Sequence, residues 1–319
     1  MTIRPQAWSG HIMTVRGLVP RDEMGLTLPH EHLHIRHQGP LVDTVDPVLA
    51  REEMQRCVRL GVQTVFEMSS IGLGREPNVL ARISEEAAVN IVMGCGFYKE
   101  GWLPAEVQGL ATEELTRMMV NDLLDGVDGT GIRAGVIGEI GCSRPTTRTE
   151  ERVLVAAAAA QRATGAVVSV HFDIGGPDDE RRHAVDILES EGADLTRVVV
   201  EHFISRPDEV ALCRELAERG CWIEFDVWGM ELWPKISALT GCHPEVQIAS
   251  LSWFISAGLL DRILISQDVA NIVNLRRYGG YGMSHILRNL VPRFKEYGIT
   301  DGQLRTIMVE NPARLFPFP

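Results

Sequence analysis

The stretch GVIGEIGCSRPTTRTEERVLVAAAAAQRATGAVVSVHF, residues 135–172, sets the beat of the chain. It reads as an apolar strand at 135–140, an amphipathic helix at 150–164, a glycine (Gly165) where a helix cap would fall, and a second apolar strand at 167–172. Outward from it the same unit repeats. Strands are predicted at 26–33, 62–68, 91–97, 198–203, 222–227 and 263–267, with helical patterns at 47–60, 112–124, 207–219 and 246–257. Val198-Val199-Val200 and Ile263-Leu264-Ile265 are apolar without alternation, as parallel strands covered on both faces are. Eight βα units in about 250 residues predict an α/β protein with a (β/α)8 TIM barrel. A doubly wound open sheet is the rival, but no G-x-G-x-x-G follows the first strand. Residues 12–18 predict a short N-terminal β-element under the barrel. Residues 301–316 predict a C-terminal helix, N-capped by Thr300 and interrupted by Pro312. No low-complexity linker divides residues 1–319, which are expected to form a single domain. The long loop 229–244 is expected to shape specificity at the rim.

Lysine and arginine number 31 against 43 acidic residues, a net charge of −12, which argues against non-specific nucleic-acid binding. No run reaches the roughly 18 apolar residues of a membrane span, and residues 1–10 lack the pattern of a signal peptide. A cytoplasmic protein with no membrane partner is the expectation. The six cysteines are scattered without a C-x-x-C pair, so a disulfide framework is not expected. Only three basic residues are lysine: Lys99, Lys235 and Lys295.

Active sites of such barrels form where strands end. His30 and His32 end the first strand, and period two puts them on one face. Glu139 ends the fourth strand, His171 the fifth, His202 the sixth and Asp268 the eighth. The spacings 171 − 139 = 32 and 202 − 171 = 31 are each one βα repeat. Buried imidazoles and carboxylates are costly without partners, and shared cations remove that cost. Four histidines and two carboxylates exceed one tetrahedral site. They predict two divalent transition metals, Zn²⁺ first and Mn²⁺, Fe²⁺ or Co²⁺ as alternatives, roughly 3.5–4 Å apart around a bridging hydroxide.

The strings Thr27-Leu28-Pro29-His30-Glu31-His32, Gly135 to Ser143, Gln267-Asp268, Tyr278 to Gly282 and Glu310-Asn311-Pro312 together resemble the phosphotriesterase family of the amidohydrolase superfamily. Within it, the Gly-Glu-Ile-Gly-Cys-Ser string of the fourth strand is most similar to the phosphotriesterase-related proteins. The resemblance implies that His30, His32 and Asp268 bind the more buried metal, His171 and His202 the more exposed one, and that Glu139 bridges them. Phosphotriesterases themselves bridge with a carboxylated lysine. No lysine lies in the fourth strand here, so a carbamate at that position is impossible, and transfer of phosphotriesterase activity itself is weakened.

The implied reaction is hydrolysis, with the bridging hydroxide as nucleophile and Asp268 passing its proton to the leaving group. Tyr98 resembles the tyrosine of the lactonase branch that faces the metal pair. It could hydrogen-bond the substrate carbonyl or serve as a pocket wall. Trp228 is a candidate pocket wall, and Arg276 and Arg277 could bind an anionic substrate group or be solvated loop arginines. Asp226 could orient a ligand or satisfy the rim. Cys142 has no base assigned to it. His34 lies too far along the strand to share the metal. Glu31 is expected to be structural and to face the helices. His11, His37, His183, His243 and His285 read as surface or structural. The expected substrate is a small ester, lactone or N-acyl amide. An organophosphate triesterase and a non-catalytic small-molecule-binding protein are the alternatives, and a homodimer is expected from the resemblance and the commonness of twofold oligomers.

Overall fold

The computed structural model describes residues 3–36, 46–230 and 243–319. It opens on an antiparallel hairpin, β1 (His11–Thr14) and β2 (Gly17–Pro20). Eight parallel strands follow in sequence order: β3 (Leu26–Glu31), β4 (Val62–Glu67), β5 (Asn90–Cys95), β6 (Val136–Gly141), β7 (Val168–His171), β8 (Val198–Val200), β9 (Trp222–Phe225) and β10 (Ile263–Ile265). The Asp268 amide donates to the His30 carbonyl at 3.2 Å and the His30 amide to Ser266 Oγ at 3.2 Å, so the end of the last strand meets the first. This is the predicted (β/α)8 barrel.

The helices are α1 (Pro47–Arg59), α2 (Pro77–Ala87), α3 (Ala105–Gln108), α4 (Thr112–Leu124), α5 (Arg148–Thr164), α6 (Asp178–Ser190), α7 (Val210–Glu218), α8 (Pro244–Phe254), α9 (Val291–Glu296), α10 (Asp301–Arg305) and α11 (Asn311–Leu315). Local chemistry sets their ends. Thr147 and Glu150 form a capping box on α5, and Gly165 ends it at φ 76°, a conformation that disfavours side chains. The expected C-terminal helix is interrupted: a π-turn (Thr306–Glu310) separates α10 from α11, and Pro312 falls in the first turn of α11.

Two apolar layers build the core. Outside the strands a large cluster packs them against the helices. Inside, Phe66, Met68, Val92, Val136, Val167, Val199 and Leu264 fill the barrel. Leu315 and Phe316 join them, with the Phe316 ring 3.9 Å from that of Phe66. Burying a phenylalanine contributes roughly 1.5–3 kcal/mol, so these rings make a stable floor. Gly94 lets β5 and β6 approach, since a Cβ there would lie 2.1 Å from the Gly138 carbonyl oxygen. The buried imidazoles and carboxylates of the barrel gather toward the C-terminal ends of the strands. Among the described residues no helix is long and apolar enough to cross a membrane. Of the loop expected at the rim, residues 231–242 lie outside the described residues, as does His37.

Candidate metal centre

His30 and His32 come from the end of β3, both buried. Between them, Glu31 accepts from Ser266 Oγ at 2.9 Å, the Gln267 amide at 3.0 Å, Gln267 Nε2 at 2.5 Å and the Val269 amide at 3.2 Å. It therefore fastens the first strand to the last, where the sequence suggested contact with the helices. At β6 the ladder slips between Ile137 and Ile140. Val136 faces the interior, so strict alternation would send Glu139 outward; the irregularity re-aims it inward. His202 and Asp268 have φ of 60° and 48°. Such conformations cost non-glycine residues of order 1–3 kcal/mol and cluster at functional sites. Buried Arg181 lies over the Phe203 ring and donates to the His202 carbonyl at 3.0 Å, which holds that bend.

Three of the imidazoles have one nitrogen hydrogen-bonded to a protein partner, and the fourth, His30, turns Nδ1 toward three carboxylates. His32 Nδ1 lies 2.9 Å from Ser69 Oγ, which donates to Glu67 Oε1 at 2.5 Å. His202 Nδ1 is 2.9 Å from Asp226 Oδ1. His171 Nε2 is 3.0 Å from the Tyr98 hydroxyl. His30 Nδ1 faces Glu224 at 3.4 Å, Asp226 at 3.5 Å and Glu201 at 3.6 Å. The other four nitrogens meet the two carboxylates. Asp268 Oδ1 is 3.1 Å from His32 Nε2 and 3.8 Å from His30 Nε2. Glu139 Oε1 is 3.4 Å from His32 Nε2, and its Oε2 is 2.7 Å from His171 Nδ1 and 3.7 Å from His202 Nε2. All six sequence-predicted donors thus come together in one buried space.

The donors suit cations. His30 Nε2, Glu139 Oε2 and Asp268 Oδ1 are buried and have no hydrogen-bond partner among the described residues. Burial and Lys99 lower His171 to about 3, so its imidazole is neutral, with Nδ1 2.7 Å from Glu139 Oε2. Mixed imidazole and carboxylate donors with their second nitrogens already held are what divalent transition metals require.

Without cations, protons must fill this role. Burial disfavours the charged form of His32, but Asp268 and Glu139 outweigh it and raise it to about 10. Burial raises Glu31, Glu67 and Glu224 to about 7 and Glu201 to about 8. The folded metal-free protein therefore keeps protons that an unfolded chain releases near pH 4.5 for Glu and 6.5 for His. The stability from these raised values is full below the unfolded pKa and is lost as pH rises through the folded one. His171, and His285 at about 4, act in the opposite sense, but only below about pH 6.5. The melting temperature of chelator-treated protein should fall from about pH 6.5 to about pH 9, and added zinc should flatten the fall. A rise across that window in chelated protein would refute the proton inventory.

The weaker candidates are placed as follows. Trp228 is buried edge-on to Phe294, 5.3 Å between centroids, and lines a small cavity with Met230, Gln267 and Tyr281. Arg276 and Arg277 lie in a 3-10 turn whose Arg276 amide is held by Glu53 of α1; Arg276 is half-buried and Arg277 exposed. Neither is among the side chains that meet at the donors. Burial and Glu150 push the Cys142 thiol up, away from a reactive thiolate. His34 is buried, His11 Nδ1 bonds the Ser9 carbonyl, His183 pairs with Glu151, His243 caps α8 and His285 stacks on Tyr281. Sequence reasoning missed Glu67, Ser69, Glu201 and Glu224. Alternation along the 222–227 strand, applied to Asp226, carries the signal for Glu224.

Residues 10–316 match the family model described as the phosphotriesterase family. An N-acetyltaurine hydrolase of Xenopus tropicalis is 32% identical over 348 residues, covering 97% of this chain and 99% of its own. A resiniferatoxin-binding protein from Rhodobacter sphaeroides has a similar structure, with TM-score 0.87, 32% identity and coverage of 96% of this chain and 95% of its own. A lactonase from Listeria monocytogenes has TM-score 0.85 and 25% identity, covering 97% of this chain and 99% of its own.

Proposed function

The chain belongs to the phosphotriesterase family and is a metal-dependent hydrolase, and from that premise we propose that it binds two divalent cations, zinc foremost, and cleaves a small N-acyl amide or lactone at its carbonyl carbon. The observation that carries this reading is the arrangement of the four imidazoles: each turns its second nitrogen to a protein oxygen, and their remaining nitrogens converge with Glu139 and Asp268. His30, His32 and Asp268 would hold the inner cation, His171 and His202 the outer one, and Glu139 would bridge. His171 is the most exposed of the four, with 12% of its side chain accessible, in keeping with the outer position. When bound, such a pair acidifies a shared water and polarises the scissile carbonyl.

The protein's own groups do the rest. Asp268 accepts the proton released on attack and delivers it to the departing amine or alkoxide. With Nδ1 of His171 turned to the cations, Nε2–H donates to the Tyr98 oxygen. The phenol's own proton is then available to a substrate oxygen, where it stabilises developing negative charge. Burial, together with Glu139 and Asp268, pushes Tyr98 up, so it stays a donor at neutral pH.

The preference for carbonyl carbon over phosphorus rests on relatives whose names state amide or lactone hydrolysis. Zinc-loaded protein should turn over members of a panel of N-acetyltaurine, other N-acyl amino acids and five- and six-membered lactones. Their kcat/KM should exceed that for an aryl dialkyl phosphotriester by about 100-fold, roughly 2.7 kcal/mol of transition-state preference. The reverse order would reassign the bond cleaved. Tight binding with no turnover of any substrate would favour a binding protein, as the resiniferatoxin-binding neighbour is named.

A further inference from the structure

We infer that Glu201 is a seventh metal ligand, joining the donors of the two-cation site. The inference rests on the two-cation reading above and adds a residue to it. The ladder of β8 ends at Val200, and Val199 faces the barrel interior. Alternation carries the next odd position, Glu201, to the same side. The following residue should then point away, but the left-handed bend at His202, φ 60°, turns its imidazole back. Two consecutive side chains consequently enter one site.

Glu201 is fully buried. One oxygen, Oε1, accepts the Ser169 hydroxyl. The other, Oε2, has no hydrogen-bond partner among the described residues. It lies 3.8 Å from His202 Nε2, the nitrogen left over once Asp226 has taken Nδ1. Glu139 Oε2 lies 3.7 Å from that same nitrogen. Donor atoms of His30, Glu139, Glu201 and His202 all fall within 4.8 Å of one another. His30 belongs to the inner group and His202 to the outer, so Glu201 sits where the two donor groups meet.

A purely orienting role, accepting from His30 Nδ1, explains less. Glu224 at 3.4 Å and Asp226 at 3.5 Å are nearer that nitrogen than Glu201 at 3.6 Å. A third carboxylate there would add buried negative charge without a new donor to satisfy. As a ligand, Glu201 raises the charge of the coordinating carboxylates, with Glu139 and Asp268, to −3 against the +4 of two divalent ions. The donor set becomes four nitrogens and three carboxylates, richer in oxygen than the six-residue set and better suited to Mn²⁺ and Fe²⁺.

The test compares wild type, Glu201→Gln and Glu201→Asp, each checked for fold by circular dichroism. Zinc per chain is measured after equilibration in a zinc buffer, affinity by chelator competition, and coordination from the visible spectrum of the cobalt-loaded protein. Glutamine keeps an acceptor for His30 but loses the anionic donor. The expected result is a drop from two zinc ions to about one in Glu201→Gln, at least a tenfold loss of affinity for the second ion, and a changed cobalt spectrum. Two ions, unchanged affinity and an unchanged spectrum would overturn the inference. Should glutamine prevent folding, the aspartate variant decides: its shorter reach should weaken the second ion alone, and unchanged binding there overturns it. Wild-type protein that binds no metal would instead sink the two-cation reading.

Discussion

Glu139→Gln should empty the site and stop hydrolysis together. Glu139 reaches both halves of the cluster with its two oxygens: Oε1 faces His32, and Oε2 faces His171 and His202. Glutamine keeps the shape and removes the charge, so the four imidazoles would face two cations with only Asp268 and Glu201 left to neutralise them. Losing residues that merely orient metal ligands typically costs 10–100-fold in affinity or activity. Losing the bridge should cost more, at least about 10³-fold in kcat/KM, or about 4 kcal/mol. Zinc content should fall below one per chain in the same preparation. Among the described residues, Lys99, at this part of the rim, is paired with Asp173 and is not free to replace Glu139. Activity retained at full zinc occupancy would show that the bridge lies elsewhere, and metal loss without activity loss would separate the cations from the chemistry.

Asp268→Asn should leave metal largely in place and slow the chemical step. Its carboxylate is set against His32 and His30 by a backbone bend at φ 48°. Burial alone would raise its pKa, but the surrounding histidines hold Asp268 low, so it enters the reaction as the anion. Asparagine can fill the position but cannot take the proton. General acid–base groups contribute about 10²–10⁴-fold, and a loss of that size in kcat is expected. The size should depend on the leaving group. Amides, whose amine must be protonated to depart, should suffer most, and an activated aryl ester least. A uniform loss across leaving groups would mean that Asp268 acts only by holding metal.

Fold and site differed in how far the residues reveal them. The apolar runs of β8 and β10 and the cap at Gly165 report local, periodic chemistry, and eight such units leave few ways to close. The six donors were visible because each ends a strand at barrel spacing. The partners were harder to find. Ser69 matters only through Glu67 and His32, and nothing in the spacing of these residues announces that chain of hydrogen bonds. Glu201 was hidden by alternation itself, because His202 seemed to claim the inward direction until the bend at its φ was seen. The rim arginines were chosen for charge, and charge alone does not say where a loop sends a side chain. Tyr98 was read as facing either substrate or wall, and the structure adds a third contact, with His171.

The four bonds accepted by Glu31 have a consequence for how the protein comes to exist. They join residues 235 or more positions apart in the chain, between the first and last strands of the barrel. Contacts of such separation are costly in loop entropy and form late. The same seam carries His30 and His32 on one side and Asp268 on the other. During synthesis the emerging chain exposes His30 and His32 long before Asp268 leaves the ribosome. A complete inner site therefore cannot exist before Asp268 emerges and the first and last strands meet, and full capture of metal must follow that closure.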